Sequence, residues 1–142
     1  MSTDVNIGVP KAAAIPHPIV LTGEVSATNT SPIAQIKQDF GTQDLSLLTL
    51  FISPLADFNS VIAEAQRHYP DTDVVGCTTA GEISASGYDE SKIIAVGFPA
   101  TGFATTSLMI DDIHKQDPQL LNDRVALERV KLQDLNLSLI HI

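Results

Sequence analysis

The chain has 142 residues, about one domain's length, and 44% of them are hydrophobic, so most of it is expected to fold. It carries 17 Asp and Glu against 8 Lys and Arg, a net charge of −9 that argues against nucleic acid or anionic membrane as a partner. The single cysteine excludes an internal disulfide and a CxxC metal or redox site, and it favours a reducing compartment.

The N-terminal part of the chain shows little pattern, because three prolines within its first 18 residues prevent a stable helix. It has no signal peptide pattern, and no apolar run in the chain approaches the ~20 residues that a membrane span needs. We therefore expect a cytoplasmic protein with a weakly ordered leader at residues 1–25. A first short strand is predicted at residues 19–22, ending at Gly23.

A first helix is predicted after Ser31, whose hydroxyl can accept hydrogen bonds from free amides at a helix start. Ile33, Ile36 and Phe40 then fall on one helical face. Gly41 is placed to end the helix.

Residues 45–52 give the strongest strand pattern, nearly continuous in apolar residues, as expected of a strand covered on both faces. An amphipathic helix is predicted over residues 57–69, with Asp57 near its positive end. Residues 73–77 form the next strand, so the three elements make a right-handed βαβ unit. The apolar face of this helix comprises Phe58, Val61, Ile62, Ala65 and Tyr69.

The C-terminal third has a different pattern. Residues 91–98 and 103–110 are strand-like and are joined by four residues containing Pro and Gly, which favours a hairpin. A last helix is predicted over residues 118–131, with Leu120, Leu121, Val125 and Leu127 facing inward. The predicted fold is α/β with α+β character at the C-terminal edge: a three-layer-like mixed sheet with a central βαβ unit and an antiparallel hairpin.

The end of the chain is interpreted as doubtful. Residues 137–142 resemble translated sequencing-adapter read-through, and no terminal strand is completed there. We expect a half-domain over residues 26–136, truncated near its end.

Residues 76–82 lie just past the carboxyl end of the second parallel strand, where ligands tend to bind in open α/β sheets. Thr78 and Thr79 offer hydroxyls, and a left-handed Gly81 would let successive amides form an anion-binding nest. Glu82 could hold an ammonium group, so the set suits an amino-acid-like ligand. The alternative, favoured by spacing alone, is that the threonines satisfy turn amides and Glu82 is solvated.

Cys77 has three interpretations. It is a buried small hydrophobe, the commonest fate of a free cysteine, or a nucleophile, or a thiolate ligand of haem iron. No Cys–His signature supports a nucleophile, so burial is favoured and no catalytic residue is predicted. No zinc-site spacing is present, and no metal site is predicted.

Four segments together resemble the N-terminal half of the FIST sensory domain. They are Phe51-Ile52-Ser53-Pro54, then Tyr69-Pro70, then Val74-Val75-Gly76-Cys77-Thr78-Thr79-Ala80-Gly81-Glu82-Ile83 followed by Gly87-Tyr88. The Gly-Cys-Thr-Thr-Ala-Gly-Glu-Ile string is the specific part, and the resemblance covers about residues 26–115.

The resemblance implies an intracellular input domain of a bacterial signalling protein, which binds a small ligand and is not itself an enzyme. The ligand-binding candidates are Gly76, Cys77, Thr78, Thr79, Ala80, Gly81, Glu82 and Tyr88. The implied partners are a small molecule, a C-terminal half of the domain and a signalling output module. The C-terminal half and the output module are expected outside this chain.

The resemblance also leaves alternatives open. One branch of the family binds haem to sense nitric oxide, so a haem sensor with His114, His68 or Cys77 as axial ligand is the first alternative; otherwise no cofactor is expected. A Cys77-dependent enzyme is less favoured, and a half-domain that only acts as a scaffold is the fourth hypothesis.

Overall fold

The structure is a computed structural model of the chain, and it describes residues 19–84 and 87–133. The predicted leader up to residue 18 and the doubtful tail lie outside these residues. In chain order the described elements are β1 (Leu21–Ser26), α1 (Pro32–Phe40), β2 (Leu45–Ile52), α2 (Phe58–His68), β3 (Asp73–Thr78), β4 (Glu82–Ser84), β5 (Gly87–Asp89), β6 (Lys92–Pro99), a short 3₁₀ helix (Ile113–Lys115) and α3 (Pro118–Gln133).

The main sheet has the strand order β1-β6-β2-β3. β2 and β3 are parallel and are joined through α2, so the predicted βαβ unit is confirmed. β6 lies between β1 and β2 and is antiparallel to both, which confirms a mixed sheet. β4 and β5 form a separate antiparallel hairpin.

Both α1 and α2 pack on one face of the main sheet, called here the helix face. Every second residue of β6 is buried against them, including Ile93 and Ala95. From α1, the predicted face of Ile33, Ile36 and Phe40 is buried in this core. The remaining members are Val25, Leu45, Leu48, Leu50, Ile52, Val61, Ala65 and Tyr69.

The opposite face of the sheet is called here the open face. Thr22 and Glu24 of β1, Phe51 of β2, and Ile94 and Val96 of β6 lie on it. Phe51 is 37% exposed, so β2 is covered fully on one side only, and the expectation that both faces are covered was wrong.

The ends of the helices are held by different partners. Gly41 ends α1 with φ 73°, and Asp57 begins α2 by accepting from the Ser60 amide at 2.7 Å, both as predicted. Ser31 precedes α1, but its side chain makes no capping bond. Instead the Ala34 amide donates to Glu64 Oε1 of α2 at 3.1 Å. A buried carboxylate from a second helix thus takes the place that was predicted for Ser31.

The first strand was predicted at residues 19–22, but it begins and ends later in the chain, at Leu21–Ser26. β1 runs through Gly23 rather than ending there. A Cβ at Gly23 would lie 3.1 Å from the Phe40 ring, so glycine lets α1 approach the strand closely.

The predicted hairpin over residues 91–98 and 103–110 was wrong in its second strand, because residues 103–110 form no strand. Both edges of β6 are already paired, with β1 and β2, so no edge is left for another strand. The segment is held by other contacts. Phe103 packs edge-on against Phe98 with ring centroids 5.4 Å apart, and the Thr105 hydroxyl donates to the Ser46 carbonyl at 2.9 Å.

The last helix forms where it was predicted, but the prediction that its apolar residues face inward was wrong. Leu120, Val125 and Leu127 are 52%, 46% and 60% exposed. Two hydrogen bonds join α3 to the preceding segment: Arg124 donates to the Met109 carbonyl at 2.9 Å, and Glu128 accepts from Thr106.

Candidate functional site

The candidate site begins where β3 ends. After Thr78 the chain turns through three residues and continues into β4, which pairs with β5 and contacts β6. This places the β4–β5 hairpin at the open face. Residues 79–82, which the sequence analysis identified as a candidate site, therefore lie over the open face of the sheet.

Thr79 fastens this turn to the sheet. Its amide donates to the Ile52 carbonyl at 3.1 Å, which extends the β2–β3 pairing by one bond. Its hydroxyl donates to Glu82 Oε1. The Thr79 amide is therefore engaged within the fold, and the hydroxyl orients the carboxylate three residues later.

Glu82 is the unusual residue of the site, because it is a carboxylate that is only 3% exposed. Its Oε1 accepts from Thr79, while its Oε2 is buried without a hydrogen-bond partner among the described residues. Buried polar atoms are normally hydrogen-bonded, and leaving one unpaired is costly. Glu82 was predicted as either a ligand-binding or a solvated residue, and the solvated alternative was wrong.

Tyr88 of β5 packs against Gly81 of the turn. A Cβ on Gly81 would lie 2.4 Å from the Tyr88 hydroxyl oxygen and 2.5 Å from its ring, so a side chain there requires the ring to move. The φ angle of Gly81 is not positive, so the expected left-handed glycine was wrong and its small size matters instead. The Tyr88 hydroxyl donates to Glu90 at 2.7 Å, and this bond raises the pKa of Tyr88 above its usual value.

A pocket of about 580 Å³ lies between the hairpin and the open face. Its walls are apolar except for two carboxylates and two threonines. The lining residues are Thr22, Gly23, Glu24, Phe51, Thr79, Gly81, Glu82, Ile83, Ile94 and Val96. Of the two acids, Glu24 lies 3.8 Å from Lys92 Nζ, and Glu82 is the deeper one.

The structure brings three of the predicted ligand-binding residues to this pocket: Thr79, Gly81 and Glu82. The other five, Gly76, Cys77, Thr78, Ala80 and Tyr88, do not line it. Gly76 has a packing role, since a Cβ there would lie 2.7 Å from Ile62 of α2. Cys77 is exposed, so its interpretation as a buried small hydrophobe was wrong.

The sequence missed the floor of the pocket. Thr22 and Glu24 come from β1, and Ile94 and Val96 from β6, far from the turn in sequence. The apolar residues at consecutive positions of β6 were a signal, because Ile93 and Ile94 point to opposite faces and both are apolar. Nothing local indicated that the hairpin would lie over that second face.

The candidate haem ligands lie elsewhere. His68 ends α2, with Nε2 3.8 Å from Glu64 Oε1, and His114 is exposed in the 3₁₀ helix. Neither histidine nor Cys77 lines the pocket. Within residues 19–84 and 87–133 no group of three or more His, Cys, Asp or Glu side chains could hold a metal ion.

A second cavity of about 640 Å³ lies near the amino ends of β2 and β3 and is more polar. Its one lysine, Lys37, is engaged, because Nζ donates to the His68 carbonyl at 2.6 Å and lies 5.1 Å from the Tyr69 ring centroid. Among its described lining residues, the buried side-chain atom without a hydrogen-bond partner is the neutral Tyr69 hydroxyl. The pocket under the hairpin, where the unpaired atom belongs to the Glu82 carboxylate, is therefore the better candidate.

In a comparison with protein families, the model of the FIST N domain matches residues 46–140, which is more than half of the chain. No significant match was found among curated proteins or solved structures. None of the described helices is both long and apolar enough to cross a bilayer.

Proposed function

The chain belongs to the FIST N domain family, a family of signalling-associated sensory domains, and we propose that it binds a small organic ligand under the β4–β5 hairpin. In this proposal the ligand occupies the pocket on the open face. The chain acts as a cytoplasmic input module rather than an enzyme, and its output module lies outside this chain.

The position and size of the pocket support the proposal. The turn at Thr79 follows the carboxyl end of a parallel strand, the edge where open α/β sheets bind ligands. A volume of about 580 Å³ lies within the range of small-molecule sites, which are mostly apolar with a few polar groups that fix orientation.

The observation that carries the proposal is the state of Glu82. Its Oε2 is buried and unpaired, while Thr79 holds the other oxygen in a fixed orientation. A carboxylate in this state lacks a donor, and a ligand that donates a hydrogen bond would complete it. Amino acids are the first ligand class to test, since the ammonium would face Glu82 while an apolar side chain contacts Phe51 and Ile94.

The experiment is a calorimetric titration of the 142-residue chain with a panel of amino acids, repeated on two tryptophan variants. Ile94→Trp fills the pocket from the open face of β6. Val75→Trp is the matched control, because Val75 is a 43% exposed residue of β3 that does not line the pocket.

We expect at least one amino acid to bind the wild type and Val75→Trp alike, and Ile94→Trp to lose about tenfold or more in affinity, about 1.4 kcal/mol. If Ile94→Trp binds as the wild type does, the ligand lies elsewhere and the pocket assignment fails. If no amino acid binds, this ligand class is wrong.

A further inference from the structure

We infer that the pocket recognises an organic ammonium ion with an apolar body, and that it has no requirement for a carboxylate on the ligand. This inference rests on the proposed function and narrows it from small ligands in general to one chemical class. The observations that carry it are the charge of the lining, the unpaired atom of Glu82 and the apolar floor.

The lining has one sign of charge. Glu24 and Glu82 are acidic, and none of the described lining residues is a lysine, arginine or histidine. The nearby Lys92 is on the same strand as Ile94, but it is held toward Glu24 at 3.8 Å and does not line the pocket. A cationic ligand group therefore meets complementary charge at Glu82, whereas an anionic group meets a carboxylate of its own sign there. Glu24, the second carboxylate, is already paired with Lys92.

Glu82 offers a defined place for the cation. The hydroxyl of Thr79 occupies Oε1, so Oε2 is the oxygen left to accept from a ligand. Because the residue is 3% exposed, water competes poorly for that oxygen. An ammonium group carries three donors and no acceptor, which matches a buried carboxylate oxygen that lacks only a donor.

The groups that were expected to bind a carboxylate are engaged, lie outside the pocket or lack the expected geometry. The expected anion site relied on Thr78, on Thr79 and on amides turned by a left-handed Gly81, and Thr78 does not line the pocket. The Thr79 amide donates to Ile52, its hydroxyl donates to Glu82, and Gly81 does not have a positive φ. An amino acid would thus bind through its ammonium group and side chain, with its carboxylate unpaired.

The floor of the pocket selects the rest of the ligand. Phe51, Ile94 and Val96 present apolar side chains at the open face. These residues favour an aliphatic or aromatic body over a polar one. The inferred class is therefore a primary amine with an alkyl or aryl group, such as the decarboxylated form of an apolar amino acid.

The test uses three probes that share a phenyl group, each titrated into the full chain by calorimetry. 2-Phenylethylamine carries only the ammonium, 3-phenylpropanoate carries only the carboxylate, and L-phenylalanine carries both. Wild type is compared with Glu82→Gln, which keeps the shape of the side chain and removes its charge. Glu90→Gln is the control, since Glu90 is an acidic hairpin neighbour that does not line the pocket.

We expect 2-phenylethylamine to bind at least as tightly as phenylalanine, and 3-phenylpropanoate not to bind. Glu82→Gln should weaken the amine tenfold or more, while Glu90→Gln should bind it as the wild type does. Far-ultraviolet circular dichroism and the melting temperature of Glu82→Gln check that the loss is not due to unfolding.

Three results would overturn the inference. If phenylalanine binds and the amine does not, the carboxylate is recognised, and the proposed function stands without this refinement. Unchanged amine affinity in a folded Glu82→Gln removes the assigned contact. If no amine binds at millimolar concentration, the inference is wrong, whereas the proposed function is judged separately by the amino acid panel with Ile94→Trp.

Discussion

The two faces of the main sheet are built from the same strands but reach different states. On the helix face, Leu48, Leu50 and Ile93 are fully buried under α1 and α2. On the open face, the neighbouring residues Phe51 and Ile94 are only partly covered. Because adjacent residues of a strand point to opposite faces, the difference comes from what covers each face and not from the strand sequence.

The difference separates two roles within one strand. Side chains of the helix face interlock with two helices, so their size and shape set the stability of the domain. Apolar side chains of the open face remain accessible under the hairpin and form the floor of a pocket that contains a buried carboxylate. Substitutions on the helix face should therefore change folding, and those on the open face should change ligand binding.

The largest expected effect tests this separation at two adjacent residues of β2. Leu50→Ala should lower the free energy of unfolding by about 3 kcal/mol, because it leaves a cavity in the core. Phe51→Ala should cost only about 1 kcal/mol, since its ring is already 37% exposed. Urea unfolding followed by circular dichroism measures both. Equal losses for the two variants would mean that the open face also carries core packing.

A second, smaller effect concerns how the helix face is held together. Glu64→Ala should destabilise the domain by about 2 kcal/mol, because it leaves the Ala34 amide of α1 without its acceptor. Ser31→Ala is the matched control and should change stability by less than about 0.5 kcal/mol, since the Ser31 side chain makes no cap bond. Urea unfolding of both variants gives the comparison. A larger loss of stability for Ser31→Ala than for Glu64→Ala would mean that Ser31, and not Glu64, caps α1.

The helix face was predictable because its signals are local. The spacing of Ile33, Ile36 and Phe40 and the run of β2 identify buried faces without knowledge of the partner, since period alone places them. The exception is Glu64, whose role depends on α1 and α2 lying side by side. No pattern within either helix indicates that one would supply the cap of the other.

The open face was only partly predictable. Thr79, Gly81 and Glu82, which line the pocket, were predicted from their place after a parallel strand, which is a local rule. Their neighbours in the pocket depend on β6 inserting between β1 and β2, a long-range pairing that leaves no mark on the turn. The same pairing explains why residues 103–110 do not pair with β6 as predicted, because β6 has no free edge.

The smallest expected effect lies at the start of α2, which borders the helix face. The Ser60 amide donates to the Asp57 carboxylate, and this bond is the main reason why the pKa of Asp57 is lowered below its usual value. A hydrogen bond with the Ser60 side chain lowers the pKa further. Because the folded-state pKa is lowered, the carboxylate contributes its full stability above the pKa of the unfolded chain, about 4. This stability is lost as the pH falls through the folded-state pKa.

Asp57→Asn keeps a cap that accepts from the amide but removes the titration. The wild type should therefore melt slightly above Asp57→Asn at about pH 6, and this difference should shrink as the pH falls below about 4. Asp71→Asn, at an exposed carboxylate beyond the end of α2, should melt with the wild type across this range. The melting temperatures of the three proteins are measured by circular dichroism. A difference between wild type and Asp57→Asn that grows at acid pH would instead show that the charge at this cap opposes folding.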